Sequence, residues 1–197
     1  MNLKMIFRAF IIFLLVFGWI FSGWPRIWNN PPIPPKIQEA LAANTVVFIT
    51  DTASTTWTVP ADWNNASNTI VVIGGGGGGI SDAANGAGGG GGGAFSSSTN
   101  LTLTPGSSVT IQVADGGGAG VNGEDTWFNG SDCAGSSVCA KGGLTGSVAT
   151  GGAGGAAADG VGTTKFSGGT GGNGNTTGDT GGGGGGAAGL KGNGGNG

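Results

Sequence analysis

From residue 44 to about residue 115, apolar and polar residues alternate with a period of two, the mark of half-buried strands. VVFIT (46–50) is predicted as a first strand, and TTWTVP (55–60) as a second, with Trp57 and Val59 on one face. NTIVVIG (68–74) is a third, apolar enough to be buried on both faces. Leu101 and Leu103 alternate with Thr102 and Thr104 in a fourth. Val109, Ile111 and Val113 alternate with Thr110 and Gln112 in a fifth. Pro105-Gly106 lies between these two and is a turn dipeptide, so TLTPGSSVTI reads as a hairpin. TWFNG (126–130) and SVCAK (137–141) supply a weaker sixth and seventh. No stretch after residue 44 carries apolar residues at helical spacing over ten or more positions. The predicted fold is all-β: a small antiparallel β-sandwich with long glycine-rich loops and a modest core.

The composition changes this picture toward the C-terminus. Glycine supplies 49 of the 197 residues. From Gly142 onward, 26 of the last 56 residues are glycine, and the large apolar side chains are only Leu144, Phe166 and Leu190, with Val148 and Val161. Such a segment buries too little apolar surface to offset the entropy of ordering glycine. Two readings follow for the low-complexity tail at 171–197. It is a flexible linker, or it is ordered as packed polyglycine II helices that hydrogen-bond laterally because no Cβ intervenes. The β-domain itself is assigned to residues 44–170.

The N-terminus reads differently. Lys4 and Arg8 precede an uncharged apolar stretch from Ala9 to Trp24, which is the layout of an export signal or a signal anchor over residues 1–24. This stretch is the expected hydrophobic export helix ahead of the β-domain. Residues 25–43 follow as a proline-rich segment with Pro31, Pro32, Pro34 and Pro35. Ala40-Leu41-Ala42 is an A-x-A pattern that places signal cleavage between Ala42 and Ala43. Cleaved or retained, the signal leaves residues 44–197 outside the cytoplasm, touching a membrane only through the N-terminal segment. That part holds three lysines (Lys141, Lys165, Lys191) against nine acids and no arginine. A chain so charged is a poor partner for nucleic acid or an anionic membrane surface.

Two glycine runs, Gly74–Gly79 and Gly88–Gly93, interrupt the strand pattern. The first satisfies G-x-G-x-x-G after an apolar strand, as a dinucleotide site would. That motif requires a helix opening at the loop and an acid about 20 residues on. ISDAANGAGGGGGG follows instead, and no acid lies between Asp82 and Asp115. The runs are therefore read as places where backbone passes close to backbone. Gly76 and Gly90 are alike expected to reject a side chain.

Taken together, TWTVPADW, NTIVVIGGGGGG, GGGGGGAFSSSTNLTLTPGSSVTIQVADGGGAG and GEDTWFNG resemble the glycine-rich β-domain of exported bacterial surface proteins and phage tail-fibre tips. The resemblance covers about residues 45–170, and Asp125 and Phe128 match its G-D-x-x-F loop. It implies a structural or adhesive role without catalysis. The Cys133/Cys139 pair and the proline-rich export segment depart from the pattern and favour a bacterial surface protein.

Few residues are candidates for chemistry. Cys133 and Cys139 enclose AGSSV, and in an exported chain they are expected to form a disulfide. Two cysteines with no histidine do not make a four-ligand zinc site. Glycine-rich calcium repeats are not matched at 117–125 or 171–179, and Glu124, Asp125 and Asp132 remain a weak cation alternative to a solvated loop. No catalytic residue, cofactor or metal site is expected. Trp63 and Trp127 are candidate stacking platforms for a glycan, against core packing as the plain alternative. The functional expectation is an exported non-enzymatic surface or extracellular protein of structural or adhesive role. Its partners would be cell-surface glycans or other surface proteins. The alternatives are a tail-fibre-like receptor-binding module and a secreted glycan-binding protein.

Overall fold

The computed structural model describes residues 45–53, 55–81, 86–178 and 180–197. The export segment at 1–24, the proline-rich segment and the Ala42/Ala43 cleavage site lie outside the described residues. Seven short strands run β1 (Thr56–Thr58), β2 (Thr69–Ile73), β3 (Phe95–Thr99), β4 (Ser108–Gln112), β5 (Thr126–Phe128), β6 (Val138–Ala140) and β7 (Thr164–Phe166). Among the described residues a single 3-10 turn, at Ala157–Asp159, precedes β7. The strands form two antiparallel sheets, β1-β4-β5-β6 and β2-β3-β7. The all-β expectation therefore holds, with sandwich-like sheets.

Alternation fixes the core. Val109 and Ile111 of β4 point inward with Phe128 of β5 and Val138 and Ala140 of β6. Val59, Val72, Ala94 and Leu103 complete the cluster. Trp57 meets Phe128 edge-on at 5.6 Å between ring centroids and Trp63 at 5.7 Å, a geometry favoured by the ring quadrupoles.

Four strand assignments differ from the sequence reading. VVFIT makes no strand: Val46, Val47 and Phe48 are exposed and find no ladder partner among the described residues. Leu101–Thr104 is extended but unpaired, because side-chain amides take the place of a neighbouring strand. Asn68 Oδ1 accepts the Leu101 N–H at 2.9 Å and Asn65 Oδ1 accepts the Leu103 N–H at 2.9 Å. The Pro105-Gly106 turn forms, with Gly106 at φ 78°, but it does not close a hairpin. β4 pairs with β1 instead, Trp57 opposite Val109. Two strands were missed: β3, FSSST, whose serines carry little strand propensity, and β7, TKF, which is too short to show alternation.

The glycine-rich segments continue the strands and form a lattice of their own. β2 runs into residues 74–80, β3 is entered from 88–94, β6 runs into 141–147 and β7 into 167–172. Hydrogen bonds between them recur every third residue. Gly74, Gly77 and Ile80 donate to Ala94, Gly91 and Gly88. Gly75 and Gly78 donate elsewhere, to Glu124 and Val121. Gly88, Gly91 and Ala94 donate to Ser147, Leu144 and Lys141. Gly89 and Gly92 donate to Gly172 and Gly169. A three-residue period with partners on several sides is the signature of threefold, polyproline II-type helices packed side by side. Such helices have no internal hydrogen bonds, so lateral partners must satisfy every buried N–H and C=O.

This arrangement reaches the end of the chain. Gly182, Gly185 and Ala188 donate to Ala87, Gly90 and Gly93, and Gly194 and Gly197 donate to Ser167 and Thr170. Residues 171–178 and 180–197 are therefore ordered in polyglycine II fashion and belong to the same compact unit as the β-sheets, Phe48–Gly197. The linker reading of the tail is set aside.

The lattice sorts the glycines. A Cβ on Gly90 would fall on the Gly77 carbonyl, one on Gly91 on the Ala153 carbonyl, and one on Gly92 on the Gly186 carbonyl. Gly76 differs from the expectation: a Cβ there meets only the Gly91 carbonyl oxygen, at 3.6 Å. That is an ordinary contact, so Gly76 tolerates a side chain that Gly90 does not.

Candidate functional site

The structure separates the two tryptophans. The Trp63 ring is half-buried against Trp57, and its indole N–H donates to Asn65 Oδ1 at 3.0 Å and to the Leu101 carbonyl at 3.3 Å. It braces the loop that replaces the fourth strand and is not a free stacking platform. Trp127 is different. It sits mid-strand in β5 opposite Gln112 and Cys139, with Thr126 and Phe128 on the buried face, so its own ring projects to the other side.

There it lines an open cleft of about 560 Å³ together with Thr52, Thr55, Thr110, Gln112 and Glu124. The β1-β4-β5 part of the sheet positions these groups. Ile111 N–H donates to the Thr55 carbonyl at 3.0 Å, which holds the edge of the cleft against β4. Gln112 Nε2 donates to the Asp125 carbonyl at 2.9 Å, which fixes its amide beside Trp127. Thr110 Oγ1 donates to the Gly130 carbonyl and fixes the far wall. The Glu124 carboxylate is exposed, with one long contact from the Asp115 N–H at 3.4 Å. An indole face beside a carboxylate and several hydroxyls offers stacking and hydrogen bonding to one ligand, as a sugar ring requires. The sequence reading had singled out Trp127 and Glu124 separately. Thr52, Thr55, Thr110 and Gln112 went unnoticed because only the β1-β4-β5 pairing gathers them.

The acids do not converge on a cation. Asp125 pairs with Lys141 and accepts the Gly142 N–H at 2.9 Å. Asp132 accepts the Gly135 N–H at 2.7 Å within its own turn. Asp125 also lies near both sulfurs, but Cys133 and Cys139 are joined, with 5.2 Å between their Cα atoms. A disulfide offers no thiolate to a metal. Gly74–Gly79 is no phosphate cradle either, since Gly74, Gly75, Gly77 and Gly78 commit their N–H groups to protein carbonyls.

The disulfide closes the loop between β5 and β6 and anchors it through Cys139, which is fully buried. Opening so short a loop is expected to cost roughly 2 kcal/mol. Thermal unfolding of the Cys133→Ser variant checks this. The expected result is a lowered midpoint, matched by wild type under reducing conditions.

A family model described as a glycine-rich domain matches residues 50–197. No curated protein and no solved structure matches the chain.

Proposed function

The chain belongs to the glycine-rich domain family, and from that premise we propose that it is an exported, non-enzymatic surface or extracellular protein with a structural or adhesive role. The observation that carries this reading is the glycine lattice. Its cohesion comes from lateral backbone hydrogen bonds, so the body is stiff with few large side chains while its surface loops are left to make contacts. Export is supported by the basic and apolar pattern at residues 1–24. It is supported again by the Cys133–Cys139 disulfide, because such bonds persist in oxidising compartments. The absence of histidine from the sequence favours a non-catalytic role. The test is cell fractionation with N-terminal mass spectrometry. The expected product is extracytoplasmic and begins at Ala43. A soluble cytoplasmic protein with Met1 intact would end the proposal.

The Trp127 cleft favours glycans as the adhesive partner over a purely architectural role. Trp127→Ala is expected to abolish retention on a glycan array or on intact cells and to leave the unfolding midpoint within a few degrees. Retention unchanged in that variant would remove the cleft from the adhesive surface.

A further inference from the structure

The segment 88–94 lies at the centre of the glycine lattice, and its neighbours can be counted from its hydrogen bonds. Its N–H groups point in three directions in turn. Gly88, Gly91 and Ala94 donate to the segment 141–147, and Gly89 and Gly92 donate to 169–172. Its carbonyls also point in three directions. They accept from Gly74, Gly77 and Ile80, from Gly152 and Gly155, and from Gly185 and Ala188, with Gly182 donating to the Ala87 carbonyl just ahead of the segment. In threefold helices these directions alternate around the axis. Five sides of the central segment are thus covered by glycine-rich segments of the chain itself. The third set of donors, Gly90 and Gly93, must face the sixth side.

On that side no described segment is hydrogen-bonded to residues 88–94, which leaves a groove between two walls. Its walls are the segments 74–80 and 182–188, which exchange no hydrogen bond with one another. Among the described residues nothing accepts the N–H groups of Gly90 and Gly93, although both residues are buried. Among the described residues nothing donates to the carbonyls of Gly74 and Gly77 on the adjoining wall. Buried unpaired backbone groups are costly, and here donors and acceptors alike recur at the three-residue spacing.

The walls carry a second signal. A Cβ on Gly76 would lie 3.6 Å from the Gly91 carbonyl oxygen, and one on Gly184 3.8 Å from that of Gly90. Nothing nearer blocks either position, and Gly181 is as free, with its nearest atom at 3.7 Å. The fold therefore has room for side chains along this groove, yet glycine stands at each place. Elsewhere on the lattice surface several outward positions carry side chains, with Leu144, Ser147, Ala153, Thr170 and Asn173 all exposed, although Gly116, Gly118 and Gly195 also stand where a Cβ would find room.

We infer that this groove binds an extended glycine-rich segment of a separate polypeptide, which enters as a sixth polyglycine II helix around residues 88–94. Its carbonyls would accept from Gly90 and Gly93, and its N–H groups would donate to Gly74 and Gly77. Glycine is required where it meets the three surrounding segments, and a small polar residue fits on its solvent side. The chain's own edge segment Gly192-Asn193-Gly194-Gly195-Asn196-Gly197 has this Gly-Gly-X pattern. The inference does not depend on the Trp127 cleft or on export.

The test is an NMR titration of the full chain with a synthetic peptide of Gly-Gly-Asn repeats, against Ala-Ala-Asn repeats as control. The expected result is saturable shifts of the Gly90 and Gly93 amide resonances with the first peptide alone. Gly76→Val and Gly184→Val fill the groove without touching the lattice. Each is expected to unfold near the wild-type temperature and to weaken binding by roughly tenfold or more. Absent shifts, or shifts unchanged in both variants, would overturn the inference. Concentration-dependent self-association of the unliganded chain, lost in Gly76→Val, would assign the groove to a second copy and overturn it too.

Discussion

Gly91→Ala is expected to destabilise the domain by more than about 4 kcal/mol, at the severe end of single substitutions. The added methyl falls on the Ala153 carbonyl, within a segment bonded on several sides. Neither backbone can move away without breaking lateral bonds to a third segment. Overpacking of a side-chain core costs less, because rotamers can adjust; two backbones in register have no rotamers. Gly76→Ala carries the opposite expectation. Its methyl meets no atom nearer than 3.6 Å, and its φ lies outside the left-handed region. Restricting the unfolded chain at such a site stabilises by about 0.4–1 kcal/mol. Denaturant unfolding of the two variants checks both signs at once. A glycine run that was a flexible loop would treat them alike.

The second large effect is expected from removing residues 181–197. In a linker they would be dispensable. Here Gly185 and Ala188 donate to the central segment, Gly182 donates to Ala87 just ahead of it, and Gly183 and Gly186 accept from Gly172 and Gly169. Ala188 is buried as well. At roughly 0.5–1.5 kcal/mol net for each hydrogen bond, the loss is comparable with the whole stability of a small domain. The truncated chain is expected to unfold at least about 10 °C lower, or to fail to fold. An unchanged midpoint would return the tail to a linker.

Strand-forming stretches were legible where alternation coincided with a ladder partner. Trp57 and Val59 were placed on one face, and Val109 and Ile111 on one face, by period alone, and they are the core or pack on it. Leu101 and Leu103 alternate just as well, but alternation reports which side is buried and not what satisfies the backbone. There the partners are the Asn65 and Asn68 side chains, 33 and more residues distant in the chain from some of the atoms they bind. β3 escaped notice because only Phe95 is apolar in it and its other buried residues, Ser96 and Ser98, are serines. Ser96 is fully buried beside Gly160 and Gly162, where a larger side chain has no space.

The glycine segments were the least legible part. Hydrophobic patterning cannot report a structure with almost no side chains in it. What the sequence did contain is spacing by three, as in Asn193 and Asn196. Their amide oxygens accept the Ser167 and Thr170 N–H groups at 2.9 and 3.0 Å. The Trp127 cleft was half legible. The aromatic residue and the acid stand close together in sequence, whereas the threonines come from β4 and the strand-edge residues before β1.

The central claim is that the glycine runs are a hydrogen-bonded lattice, and amide hydrogen exchange read residue by residue tests it most directly. The N–H groups of Gly89, Gly91, Gly92 and Gly169, and of Gly172, Gly182 and Gly185 in the tail, all have backbone acceptors at 2.7–3.0 Å. They are expected to exchange as slowly as the amides of β4 and β5, in one cooperative unit. Exchange at these glycines at the rate of an unstructured peptide, with the strands still protected, would contradict the account.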